Sequence, residues 1–134
     1  MKLFAIAVFA IHTLFELAFG ASAYLSGASS SQTPEQIAEQ SVPLTIAFRF
    51  MGSALLSLGV LGAIILVWAG VQSPVARYAA IGFAVFHGLG AMGSLWSAMP
   101  SFDAYSAPLA VGALVVHASL AIGFAVIATR PALA

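Results

Sequence analysis

The stretch LTIAFRFMGSALLSLGVLGAIILVWAGV, residues 44–71, carries one charged side chain, Arg49, and is otherwise apolar, small or hydroxylic. A helix needs about 20 mostly apolar residues to cross a hydrocarbon core of about 30 Å, and this run exceeds that length. In lipid no water satisfies a backbone N–H or C=O, so a single crossing segment must be a helix. A membrane barrel would instead show segments of about ten residues with alternating polarity, and the chain has none.

Outward from this run the same reasoning finds three further spans, at about 3–25, 75–98 and 107–129. They predict an all-α integral membrane protein, a four-helix up-and-down bundle whose spans make up one membrane domain, residues 1–134. Hydrophobic residues are 62% of the chain and charged ones 6%, against about 25% charged in soluble domains. The absence of cysteine rules out disulfides, thiolate metal sites and cysteine nucleophiles. A formal net charge of zero leaves no basic patch for nucleic acid.

The breaks between spans carry turn and cap signals. Ser26-Gly27 and Ser29-Ser30-Ser31-Gln32 end the first span. Thr33 reads as an N-cap and Pro34 as a first helical residue, predicting a short surface helix over 34–40 within an outer loop, 26–43. Pro43 opens the second span, Gln72-Ser73-Pro74 turns into the third, Met99-Pro100-Ser101 ends it, and Pro131 closes the fourth. Lys2, Arg77 and Arg130 fall on one side of such a bundle; Glu35, Glu39 and Asp103 fall on the other. The positive-inside rule then predicts both termini in the cytoplasm, with Trp68 and Tyr78 at the inner edge and Tyr24, Trp96 and Tyr105 at the outer. Met1-Lys2 and Ala21-Ser22-Ala23 are features of a secretory signal. The length of the run, and the His12 and Glu16 within it, favour a retained span.

Five strongly polar side chains remain inside the spans: His12, Glu16, Arg49, His87 and His117. At 1.5 Å rise per residue, His12 lies roughly 14 Å from the inner boundary, His87 and His117 roughly 18 Å. Three histidines on three helices thus share one layer near the midplane. Glu16 stands one turn from His12 on the same face, roughly 20 Å from the inner side, and Arg49 roughly 8 Å below the outer one. The two depths nearly coincide, which predicts a Glu16–Arg49 pair. An isolated charge at mid-membrane costs about 3 kcal/mol on insertion scales, and pairing offsets part of that. Histidine in a membrane helix also serves as hydrogen-bonding glue, with Ser53, Ser57, Ser94 and Ser119 as available partners. The shared depth of all three histidines favours a site.

Small residues form a second pattern: Gly52, Gly59 and Gly62, Ser53 with Ser57, Gly90 with Ser94, Gly93 with Ser97, and Ser119 with Gly123. Such spacing lets helix backbones approach closely, here predicting packing within one bundle, with a homo-oligomer seam as the alternative. Phe4, Phe9, Phe15, Phe48, Phe83 and Phe86 read as core fillers or lipid-facing groups.

Three function classes remain. The favoured one is an accessory subunit or small-molecule-binding bundle, partnered by the lipid bilayer and by a larger membrane complex or further copies of itself. The second is a redox or metal protein, in which two of His12, His87 and His117 ligate haem b or all three hold a metal ion such as copper. The third is a small proton-coupled transporter acting as an oligomer. Catalysis has least support, since no nucleophile–base pair or paired carboxylates can be assembled.

Arg49-Phe50-Met51-Gly52 through Gly59, with the four-helix length, resembles the DoxX-like group of small bacterial membrane proteins. The resemblance implies a four-helix bundle in the bacterial cytoplasmic membrane, sometimes linked to redox or quinone-related partners. The histidine layer has no counterpart in that resemblance.

Overall fold

Lys2–Ser26 form one unbroken helix, α1, because nothing in the run interrupts it and an apolar solvent leaves its backbone no other partner. It stops at Gly27, whose φ of 65° lies in the left-handed region that a Cβ disfavours. There the Gly27 N–H bonds the Ala23 carbonyl at 2.9 Å and the Ser26 hydroxyl donates to the Ser22 carbonyl at 2.6 Å, satisfying the orphan acceptors of the last turn. A computed structural model describes residues 1–29, 32–98 and 108–130 of the chain. The expected boundary at Met99-Pro100-Ser101, together with Asp103, Tyr105 and Pro131, lies outside them.

The second helix, α2, is Pro34–Ala38. Its capping box is closed in both directions: the Gln36 N–H donates to the Thr33 hydroxyl and the Thr33 N–H to the Gln36 side chain. Just beyond it, the Gln40 amide donates to the Gly27 carbonyl at 2.7 Å and the Thr45 hydroxyl at 2.8 Å, tying the loop across the ends of two helices. Helix α3 is Val42–Ile64 and continues into a π-helical turn, Ile65–Ala69, which ends at Gly70 with φ 80°. Helix α4 is Pro74–Ala98, its first turn held by the Ser73 hydroxyl accepting from the Ala76 N–H at 3.1 Å. Helix α5 is Pro108–Ala128. Four segments are long and apolar enough to cross a membrane: Lys2–Ser26, Val42–Ala69, Pro74–Trp96 and Val111–Ala128. No strand occurs among the described residues.

The chain divides into two compact units, residues 9–68 and residues 1–8 with 69–134. In the first, α1 and α3 meet through glycine. A Cβ on Gly52 would lie 2.5 Å from the Tyr24 nitrogen and 2.8 Å from the Gly20 carbonyl, and one on Gly20 would lie 2.7 Å from the Leu56 nitrogen. Gly59 faces Leu17, and Gly62 faces Thr13. Positions on α1 fall as those on α3 rise, so these helices run antiparallel. Lipid supplies no hydrophobic drive for such association, so close van der Waals contact between backbones must supply it.

In the second unit α4 and α5 pack along one another, also antiparallel. Arg77, near the start of α4, donates from Nε to the Ala128 carbonyl at the end of α5, at 2.9 Å, a favourable place for a cation. Phe83 and Phe124 meet with ring centres 5.1 Å apart, and Ala76 and Ala80 of α4 and Leu120 of α5 are buried as well. Gly123 faces Val8 of the first turns of α1, where an added Cβ would lie 3.0 Å from Val8 Cγ2.

Candidate functional site

Within residues 9–68, His12 and Glu16 form an ionisable pair. His12 and Glu16, both buried, sit one turn apart on α1, so helical spacing alone brings their side chains together. His12 Nδ1 lies 3.8 Å from Glu16 Oε1, and His12 Nε2 lies 3.4 Å from the Leu58 carbonyl of α3. A carbonyl only accepts, so His12 carries hydrogen on Nε2. Nδ1 is then either bare, facing a carboxylic acid, or protonated, facing a carboxylate. At 3.8 Å the two groups are within ion-pair range but beyond a direct hydrogen bond, so passing a proton between them requires the side chains to close in.

Arg49 does not join this pair. Its side chain is exposed, its Nε is 3.2 Å from where a Cβ of Gly27 would stand, and among the described residues no ion pair links it to Glu16. The helix register explains the miss. Gly52 is fixed against Tyr24 and Gly59 against Leu17, which sets Arg49 beside the C-terminal end of α1. Depth arithmetic had treated both spans as filling one 30 Å slab, whereas α1 alone, at 25 residues, is about 37 Å long. Arg49 is therefore a surface residue of the helix end and not part of a buried cluster.

The other unit holds a pair of imidazoles. His87 on α4 and His117 on α5 meet with their Nδ1 atoms 2.9 Å apart. His87 is buried and His117 half-buried. Aromatic rings wall the pair: Phe124 stacks on His87 with 5° between planes, and Phe86 stands edge-on to both imidazoles. Gly90, one turn after His87, presents bare backbone to the His117 ring, and a Cβ there would lie 2.9 Å from His117 Nδ1. Of the three histidines expected in one layer, His87 and His117 meet directly; His12 is described within residues 9–68, beside Glu16 and the Leu58 carbonyl.

With ring centres 5.1 Å apart, the two Nδ1 atoms lie almost on the line joining the rings, each lone-pair direction aimed at the other ring. Axial haem ligation needs an iron atom and a porphyrin plane between two such nitrogens, and this pair leaves no room for them. Chelation by both Nδ1 atoms needs lone pairs converging on a third point, which these do not do. The pair as it stands fits a shared hydrogen and fits neither of those groups.

The serines offered as partners turn elsewhere. Ser53 donates to the Phe50 carbonyl, Ser57 to Ser53 and Ser94 to Gly90 at 2.9 Å, all within their own helices, and Ser119 is exposed. A Cβ on Gly93 would meet nothing within 4 Å, so that glycine opens outward. Sequence reasoning passed over Phe124 and the role of Phe86, although helical spacing puts Phe124 two turns after His117 and Phe83 one turn before His87. It also passed over the Thr13 hydroxyl, which is buried with no hydrogen-bond partner and lies against Gly62. No family model matches the chain, and comparison with curated proteins and with solved structures gives no relative.

Proposed function

We propose that this protein is a proton-handling integral membrane protein, a small proton-coupled transporter of up-and-down topology with both termini in the cytoplasm. The observation that carries it is Glu16, a carboxyl only 5% exposed in the middle of a span, with the imidazole of His12 3.8 Å away. Ionisable groups placed so deep are expensive and mark ion and proton routes. The topology is supported by Lys2, Arg77 and Arg130 on one side against Glu35 and Glu39 on the other, and the bacterial cytoplasmic membrane by the DoxX-like resemblance.

The test is proton flux in liposomes containing the purified protein, driven by a pH step. Glu16→Gln keeps the shape and removes the titration, and flux should fall by at least about tenfold, within the range of positioned acid–base groups. Unchanged flux in that variant, or none in the wild type, would end the reading.

A second reading, a subunit of a larger membrane complex or homo-oligomer, is favoured by α4. A Cβ at Gly82 would meet nothing within 4 Å, leaving room there for the close approach of another helix. Gentle detergent extraction should then recover a larger assembly, and a stable free monomer would count against it.

A further inference from the structure

His87 and His117 are joined by a contact that only a hydrogen makes favourable. Two bare Nδ1 lone pairs facing each other at 2.9 Å would repel, so one ring is an Nδ1–H donor and the other the acceptor. The surroundings decide which. His117 is half-buried, and its Nε2 has no hydrogen-bond partner among the described residues. An unbonded acceptor is better tolerated away from water than an unbonded N–H. His117 therefore keeps its hydrogen on Nδ1 and leaves Nε2 bare, while His87 accepts at Nδ1 and carries its own hydrogen on Nε2.

We infer that His87 and His117 form a two-imidazole proton relay between α4 and α5, entered at Nε2 of His117. A proton binds His117 Nε2; the His117 Nδ1–H bond breaks as an N–H bond forms at His87 Nδ1; the His87 Nε2–H bond breaks as that proton passes to a water molecule on the far side of the ring. One proton enters and one leaves, no electrons move, and both rings finish neutral with their tautomers exchanged. Reverse transfer or a turn of the rings resets them. Phe86 and Phe124 cover the rings, keeping water from the shared hydrogen, and Gly90 leaves the space that lets His117 sit at bonding distance. The relay rests on the proton-handling function proposed above, yet its tautomers can be read without any transport.

The experiment is nitrogen-15 NMR of histidine-labelled protein in bilayers, beside proton flux of the variant H117N. The asparagine amide nitrogen stands near the place of Nδ1 and keeps the bond to His87, but it cannot take up a proton on its far side. The expected result is a nitrogen–nitrogen coupling across the pair with His117 as the Nδ1–H tautomer. H117N should melt like the wild type and lose at least about tenfold in flux. Two Nε2–H tautomers without coupling would overturn the relay whatever the flux. So would wild-type flux in H117N, which would reduce the pair to a structural tie while leaving a Glu16-dependent function standing. A coupled pair in a protein without flux would instead remove the transport function and support the shared-hydrogen site.

Discussion

At the scale of single residues, what matters is whether each buried polar atom has found a partner. His12 and His87 have, through the Leu58 carbonyl and the His117 ring. The Thr13 hydroxyl has not: it is buried, without a hydrogen-bond partner, pressed against the bare backbone of Gly62. Leaving such a group unpaired costs about 1–3 kcal/mol, and replacing it by an apolar group of the same shape removes that penalty. Thr13→Val should therefore stabilise the protein by about 1 kcal/mol, measured by reversible unfolding in mixed detergent and lipid. A loss of similar size would mean that the hydroxyl is bonded, for instance through a buried water. The stage for this prediction is Gly62, where any side chain would displace the hydroxyl. Both residues stand plainly in the chain, but nothing in their spacing announces that they touch.

At the scale of helices, the register of α1 against α3 is written by glycine. Gly52 and Gly59 occupy the same interface yet meet different neighbours. A methyl group on Gly52 would strike backbone, the Tyr24 nitrogen at 2.5 Å and the Gly20 carbonyl at 2.8 Å. One on Gly59 would first strike the Leu17 side chain at 2.9 Å, which can partly give. Overpacking typically costs about 1–3 kcal/mol, so Gly52→Ala should fall at or above the top of that range and Gly59→Ala nearer the bottom. Equal losses in the same unfolding measurement would mean that the helices separate as readily at both points. The spans themselves were legible in the sequence because lipid leaves an apolar run of that length one backbone solution. Register was not, because depth fixes position along a helix and says nothing of how two helices slide or turn. Hence Arg49 was expected opposite Glu16 and instead stands beside Gly27. His87 and His117 do meet, but equal depth made that contact possible without turning the two rings toward each other.

At the scale of the whole molecule, the direction in which the spans cross is testable by labelling, and the chain offers a clean background for it. It contains no cysteine, so any introduced thiol is the only one a reagent can find. Glu39, just after α2, and Gln72, in the turn before α4, are both exposed and stand clear of the two ionisable pairs. With both termini in the cytoplasm, the loop bearing Glu39 faces outward and the turn bearing Gln72 faces inward. A membrane-impermeant maleimide should then label Glu39→Cys in intact spheroplasts and reach Gln72→Cys only after permeabilisation. The reverse pattern would invert the protein and break the positive-inside assignment on which the orientation stands. Labelling of both from one side would be more damaging, since an even number of crossings between them would contradict α3 as a full span. The result also bears on the relay. His117 lies near the middle of the last span, so the same labelling gives the direction in which α5 carries it across the bilayer.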